Sequence, residues 1–148
     1  MRLPFAGRDE AKWEGMNREV IALMHGGKTG EALALARELY GYSRKAYGRK
    51  HERTANAINN LGFILTQEGK FDEAESCLLA GLEISEKLYG KSSREVALVN
   101  ANLSRLYSRK SEDILALNEP FESFLAREGT ETLKTNRAVG EVGKNVQD

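Results

Sequence analysis

Short motifs in the first half of the chain recur 42 positions later. Tyr47-Gly48 recurs as Tyr89-Gly90, and Gly27-Lys28 recurs as Gly69-Lys70. A fixed period of this size is typical of a solenoid of helix pairs, in which each unit buries its apolar stripe only by stacking on its neighbours. The repeat therefore predicts an all-α chain, and it directs the search for function to a surface.

Composition and charge narrow the class of protein. The 148 residues include 22 Lys+Arg and 22 Asp+Glu, so that the formal net charge is +0 and no global field attracts nucleic acid or anionic lipid. The single cysteine, Cys77, has no second cysteine in the chain with which to form a disulfide. There is no run of about 18 apolar residues and no export signal at the N-terminus. We expect a cytoplasmic protein with no membrane or nucleic-acid partner.

Apolar residues at spacings of three and four predict a series of helices, separated by glycines. Thr29 and Asp72 are the expected N-caps of the second and fourth helices. A polar exception in the first helix is Glu19, which occupies the position of Leu61 in the second unit, so that this helix is either rotated or carries a functional face. The predicted helices run from about Asp9 to Met24, Gly30 to Tyr47, Arg53 to Gln67, Asp72 to Tyr89, and from after Ser93 to about Arg109.

The third unit departs from the repeat. Pro120 occupies the position of Leu78, and a proline inside a helix costs about 3 kcal/mol. The second helix of this unit must therefore kink or restart, with Asn118 as a cap and Phe121 and Phe124 on the apolar face up to about residue 129. The predicted organisation is a flexible N-terminus at 1–8, a repeat domain at 9–128 and a flexible tail at 129–148.

The second unit carries a family resemblance. Its pattern of small, aliphatic and aromatic residues is Leu61-Gly62, Leu65, Gly69, Phe71, Ala74, Leu78 and Gly81. This pattern resembles the tetratricopeptide repeat, and the 42-residue period with the string Asn59-Asn60-Leu61-Gly62 resembles the longer repeats of kinesin light chains and similar bacterial proteins. The resemblance covers roughly residues 13 to 117. It implies a right-handed superhelical solenoid of antiparallel helix pairs, with about three units and a degenerate C-terminal unit.

For function, the resemblance implies a non-enzymatic scaffold or adaptor, which binds a peptide or helix of a partner protein in a concave groove lined by the first helix of each unit. Asparagines are frequent in these helices although they are poor helix formers, and a row of them offers donors and acceptors to the main chain of an extended ligand. The alternative is that Asn60 and Asn102 bond between adjacent helices or only solvate a face. By the family register, the inward-pointing residues are Asn17, Asn56, Asn59, Asn60, Phe63, Asn102, Arg105 and Arg109.

The sequence gives little support for a nucleotide site, a metal site or a nucleophilic cysteine. Gly26-Gly27-Lys28-Thr29 contains part of a phosphate-binding loop, but it follows a helix rather than a strand and recurs as an ordinary turn. The two histidines, His25 and His51, have no neighbours at metal-ligand spacing, and Cys77 is expected to be a buried structural thiol. We therefore predict no catalytic residue, no metal and no cofactor.

A carboxylate clamp and self-assembly are two further binding modes. The carboxylate clamp of some tetratricopeptide domains needs Lys or Arg at Leu98 and Asn102, so that this specificity is excluded. The competing class to a groove adaptor is self-assembly into a homo-oligomer through exposed solenoid ends, with Trp13, Phe121 and Phe124 at the interface.

Overall fold

The computed structural model describes residues 6–117 and residue 126, and these residues form helices and turns without any strand. The all-α prediction is confirmed. The chain divides into two compact parts after Lys110, and the packing described below is that of the first part, which contains the described residues 6–110. The helices are α1 (Ala6–His25), α2 (Thr29–Tyr47), α3 (Glu52–Gln67), α4 (Phe71–Tyr89) and α5 (Arg94–Leu117).

Glycine turns separate the paired helices. After α1, the N–H of Lys28 donates to the carbonyl of Leu23 at 2.9 Å, and Gly27 has φ 72°. This pairing is a Schellman motif, whose left-handed residue favours glycine because it has no Cβ. The turn after α3 repeats this geometry, with Gly69 at φ 74°. The chain at Gly26 to Thr29 is thus a turn between helices, as the repeat predicts.

The predicted N-caps are wrong. α2 begins at Thr29 itself and α4 begins at Phe71, one residue before Asp72. Lys28 and Lys70 occupy the N-cap positions, and neither makes a side-chain cap bond. The Schellman turn leaves room for only one residue between its glycine and the next helix, so that the helix starts before the expected cap.

The fifth helix is longer than predicted. It runs to Leu117 rather than ending near Arg109. The turn glycines Gly27 and Gly69 correspond to Ser111, and a positive φ is unfavourable for serine. Without the glycine, the helix continues through the position of the expected turn. The predicted restart at 118–129 and the boundary at residue 128 lie outside the described residues, except for Ala126.

The central helix α3 is buried on two sides. Towards α4, a Cβ on Gly62 would lie 2.6 Å from Cγ of Leu78, and a Cβ on Gly81 would lie 3.2 Å from Ile58. Elsewhere on the helix, Leu61 and Ile64 are also buried, and Ile64 lines a cleft against α1. Glycines at the α4 contact allow the two backbones to approach closely.

The first helices of the outer repeat units, α1 and α5, are polar at positions where α3 is apolar. In α1 the equivalents of Leu61 and Ile64 are Glu19 and Ala22, and both are exposed. In α5 the equivalent of Ile58 is Asn100, which is also exposed. Terminal units of a solenoid need such polar outer faces. The exposed charge at Glu19 therefore needs no rotation of the helix. Among residues 6–110, no helix precedes α1 that could pack against Glu19 and Ala22.

Candidate functional site

The first helices of the units, α1, α3 and residues 94–110 of α5, share one side on which the predicted site residues contact one another. We call this side the A-helix face. An amide ladder connects its helices. Nδ2 of Asn60 donates to Oδ1 of Asn17 at 3.2 Å and to Oδ1 of Asn56 at 2.9 Å. Nδ2 of Asn102 donates to Oδ1 of Asn59 at 3.0 Å. Both contacts between helices join residues 43 positions apart, so that the repeat generates the ladder.

The remaining predicted residues also make contacts between helices. The guanidinium of Arg105 lies 5.1 Å from the ring centroid of Phe63. Arg109 donates through Nη1 to Oε1 of Gln67 at 2.8 Å and to its main-chain carbonyl at 3.3 Å. The structure therefore shows that bonds between adjacent helices exist. Whether these side chains also contact a ligand stays a prediction.

The ladder determines which polar atoms are free for a ligand. Both N–H groups of Asn60 are used within the ladder, while its Oδ1 has no hydrogen-bond partner in the described part of the chain. Asn102 uses one N–H and retains its other N–H and its Oδ1. These free atoms match the donor and acceptor of a peptide main chain.

An apolar cleft of about 310 Å³ lies between α1 and α3 at one end of this face. Its apolar lining includes Ile21, Met24 and Phe63, and Asn60 lies at its edge. Ile21 is 43% exposed and is absent from the predicted site. The sequence could have identified Ile21, because it is the repeat equivalent of the predicted site residue Phe63, 42 positions later.

A second cleft of about 210 Å³ lies between α3, α4 and α5, towards the other end of the face. Burial, together with the nearby carboxylates of Glu52 and Glu95, raises the pKa of Tyr89, so that its phenol stays protonated at neutral pH. Leu98 is 52% exposed at this cleft. An adjoining cleft of about 400 Å³ extends towards α1 and includes Arg94.

Trp13 is part of the core of the first unit. It is 7% exposed, and its Nε1 donates to Oγ of Ser43 at 2.8 Å, while Ser43 donates to the carbonyl of Leu39 at 2.7 Å. The guanidinium of Arg53 lies 5.0 Å from the Trp13 ring centroid. The prediction that Trp13 lies at an assembly interface is therefore wrong, since this side chain is already buried. Phe121 and Phe124 lie outside the described residues.

Cys77 is half-buried rather than fully buried as expected. Burial raises the pKa of its thiol, and the carboxylate of Glu73 acts in the same direction. A thiol with a raised pKa carries little thiolate at neutral pH and is a poor nucleophile. Its environment agrees with a structural role.

The histidines and carboxylates of the described residues do not come together as a metal-binding group. Within residues 6–117, no group of three or more His, Cys, Asp and Glu side chains is arranged to hold a metal ion. His51 instead accepts the N–H of Arg53 at 3.1 Å and stacks on Tyr47. None of the described helices combines the length and apolar character that crossing a membrane requires.

The helix pairs, the glycine turns and the polar ends together define a helical-repeat protein. Residues 53–118 match the tetratricopeptide repeat family. The crystal structure of BtubC (BKLC) from P. vanneervenii is similar, with a TM-score of 0.63 and 25% sequence identity. The match covers 68% of this chain and 39% of BtubC, so that the chain spans well under half of that protein. No curated protein matches the chain.

Residues 53–118 are therefore tetratricopeptide repeats, and the chain is similar in structure to BtubC, a protein with repeats like those of kinesin light chains. The resemblance inferred from the 42-residue period is confirmed, and so is the solenoid class of fold. The right-handedness of the superhelix stays a prediction.

Proposed function

We propose that the chain is a protein-protein interaction scaffold, in which the A-helix face binds an extended or helical segment of a partner protein. Tetratricopeptide repeats in general mediate such interactions. The observation that carries the proposal is the arrangement of this face. Asn60 lines both an apolar cleft and a partly acidic cleft, and Asn102 bonds to Asn59, which lines the partly acidic cleft. This combination offers main-chain hydrogen bonds together with side-chain specificity.

The spacing of the clefts suits a short peptide. Asn56 lines the partly acidic cleft and Phe63 lines the apolar cleft. These two residues are seven positions apart, which is about 10 Å at the rise of an α-helix, and Asn60, which lines both clefts, lies between them. An extended chain covers this distance in about three residues. A four-residue stretch can therefore place one side chain in each cleft while its main chain passes the amides.

Selection of a random peptide library on the full chain tests the proposal. We expect an enriched peptide family whose binding is lost in Ile21→Asp and in Leu98→Asp, since each change puts a charge into one cleft. Leu79→Asp is the matched control, because Leu79 is a similarly exposed leucine (47%) on α4. Failure to enrich any family, or equal loss in the control, would refute the proposed function.

Self-assembly is the second candidate. The observation in its favour is the exposure of Leu115 (71%) and Leu117 (85%) in the last turn of α5. The polar side chains of Glu19 and Asn100 on the outer helices argue against stacking through those surfaces. Light scattering across a range of concentrations distinguishes the two. A mass that stays that of one chain excludes self-assembly, and a larger mass that Leu115→Asp reduces supports it.

A further inference from the structure

Two sites related by the repeat, one beside Ser43 and one beside Ser85, differ in whether a side chain of the protein fills them. In the first unit, the indole of Trp13 fills the space beside Ser43, donates to its hydroxyl and lies under the guanidinium of Arg53. The same guanidinium lies 5.4 Å from the ring centroid of Tyr47. The equivalents of these four residues, each 42 positions later, are Ala55, Ser85, Tyr89 and Glu95.

All four of these equivalents line the cleft of about 210 Å³ described above. The side chain that fills the site in the first unit, Trp13, is reduced to the methyl group of Ala55 in the second. The cleft is therefore the place that an aromatic side chain of the protein itself occupies one repeat earlier.

The hydroxyl that pairs with the indole in the first unit has no partner in the second. Ser85 is only 3% exposed and lines the cleft, and no hydrogen bond from or to its side chain is present among the described residues. Its equivalent Ser43 both accepts a hydrogen bond from Trp13 and donates one. Oγ of Ser85 is not among the sealed, unpaired polar atoms of the described residues, so that it is open to the cleft and can accept a hydrogen bond from an incoming donor.

The charge of the site is also inverted. Arg53 of the first unit corresponds to Glu95, and among the described residues the charged side chains that line the cleft are Glu52 and Glu95. Neither carboxylate has a cationic side chain within salt-bridge distance in the described structure. Arg94 lines only the adjoining cleft. Arg53 lines that adjoining cleft as well, and Glu52 and Glu95 line both clefts. Both carboxylates are exposed, and their negative charge favours a cationic occupant of the smaller cleft.

We propose that this cleft binds an arginine side chain of the partner, whose guanidinium donates to Ser85, Glu52 and Glu95 and lies along the ring of Tyr89. The inference rests on the proposed function, because the arginine belongs to the segment bound on the A-helix face. A planar guanidinium has five N–H donors and stacks on aromatic rings, whereas a lysine ammonium is a point charge. An indole has only one N–H donor and no charge, so that it would leave the attraction of the two exposed carboxylates unused.

The test uses the peptides selected on the full chain as described above. We expect them to share an arginine, and replacement of that arginine by lysine should weaken binding by about tenfold or more, the scale of a charge-assisted hydrogen bond. Affinity is measured by fluorescence anisotropy of a labelled selected peptide.

Ala55→Trp is the most direct variant, since it restores the residue that closes the site in the first unit. It should abolish binding of the arginine peptide, and Glu95→Gln should weaken it by about tenfold. Glu83→Gln is the control, because this carboxylate is 56% exposed and pairs only with Lys87. Circular dichroism checks that each variant is folded, and Ser85→Ala serves as a smaller change if the tryptophan prevents folding.

The outcomes separate the two proposals. If no peptide family is enriched, the proposed function itself fails. If peptides are enriched without a shared arginine, or with tryptophan in its place, the assignment of the cleft is overturned while the function stands. Binding that is unchanged in folded Ala55→Trp, or in Ser85→Ala and Glu95→Gln together, overturns it as well.

Discussion

The contact between α3 and α4 depends on a glycine, and replacement of that glycine should be costly. A methyl group at Gly62 would lie 2.6 Å from Cγ and 2.7 Å from Cδ2 of Leu78, which is completely buried. Both distances are far below van der Waals contact, and Leu78 has no free space into which it can move. Overpacking of this kind costs about 1 to 3 kcal/mol, and the close contact puts Gly62→Ala near the upper end.

The same substitution at an open site provides the control. Gly41 lies within α2, is exposed, and has no atom within 4 Å of a built Cβ. Gly41→Ala should therefore gain the helix propensity of alanine, about 1 kcal/mol. Gly62→Ala gains the same propensity, so that the difference between the two variants isolates the packing cost. We expect Gly62→Ala to be the less stable by about 2 to 3 kcal/mol.

Urea unfolding followed by far-UV circular dichroism measures this difference. In thermal unfolding it corresponds to a gap of roughly 10 °C in Tm or more, on the usual scale for a domain of this size. Leu78→Ala adds a second comparison. Alone it should cost about 2 to 5 kcal/mol, and in the Gly62→Ala background it should cost less, because the new methyl group occupies part of the cavity. Equal stability of Gly62→Ala and Gly41→Ala would refute the reasoning.

Three further predictions concern contacts between helices. Trp13→Phe should lower the free energy of unfolding by about 1 to 3 kcal/mol, since it leaves Ser43 without its donor in the core; an unchanged urea midpoint would contradict this. Burial and the bond to Asp9 at 2.5 Å raise the pKa of Tyr42 to about 12. Because the unfolded side chain titrates near 10, stability should be constant below about pH 10 and fall towards pH 12, and Tyr42→Phe should flatten that fall in Tm measurements. Glu73→Gln breaks the pair with Arg37, but both side chains are 44% exposed, so that the loss in urea unfolding should stay below about 1 kcal/mol.

The sequence predicted the helices well because the signal repeats. Each glycine that ends a helix occurs twice, and the bounds of α2, α3 and α4 were predicted to within one residue. α1 begins at Ala6, three residues before the expected Asp9, where apolar periodicity is lacking. The end of α5 was missed because the repeat register placed a turn after about Arg109, whereas Ser111 replaces the glycine that this turn needs.

The candidate site was predictable only in part. The asparagines were identified from their number and register, but their partners depend on how neighbouring helices pack, which periodicity does not reveal. The partly acidic cleft was missed because it exists only where the small side chain of Ala55 replaces the large indole of its equivalent, Trp13. A residue-by-residue comparison of the two units would have paired Ala55 with Trp13 and Ser85 with Ser43, and this pairing is the signal that the sequence contained.

The pairing of Trp13 with Ser43, and the open position at Ala55 beside Ser85, have a consequence for how such chains diversify. After duplication of a unit, exchange of one large side chain for a small one converts part of the interior into a recess, while the backbone and the neighbouring hydroxyl stay in place. The reverse exchange closes it again. A repeat array can thus acquire or lose a recess in one copy while the other copy keeps the filled packing and the stability that comes with it.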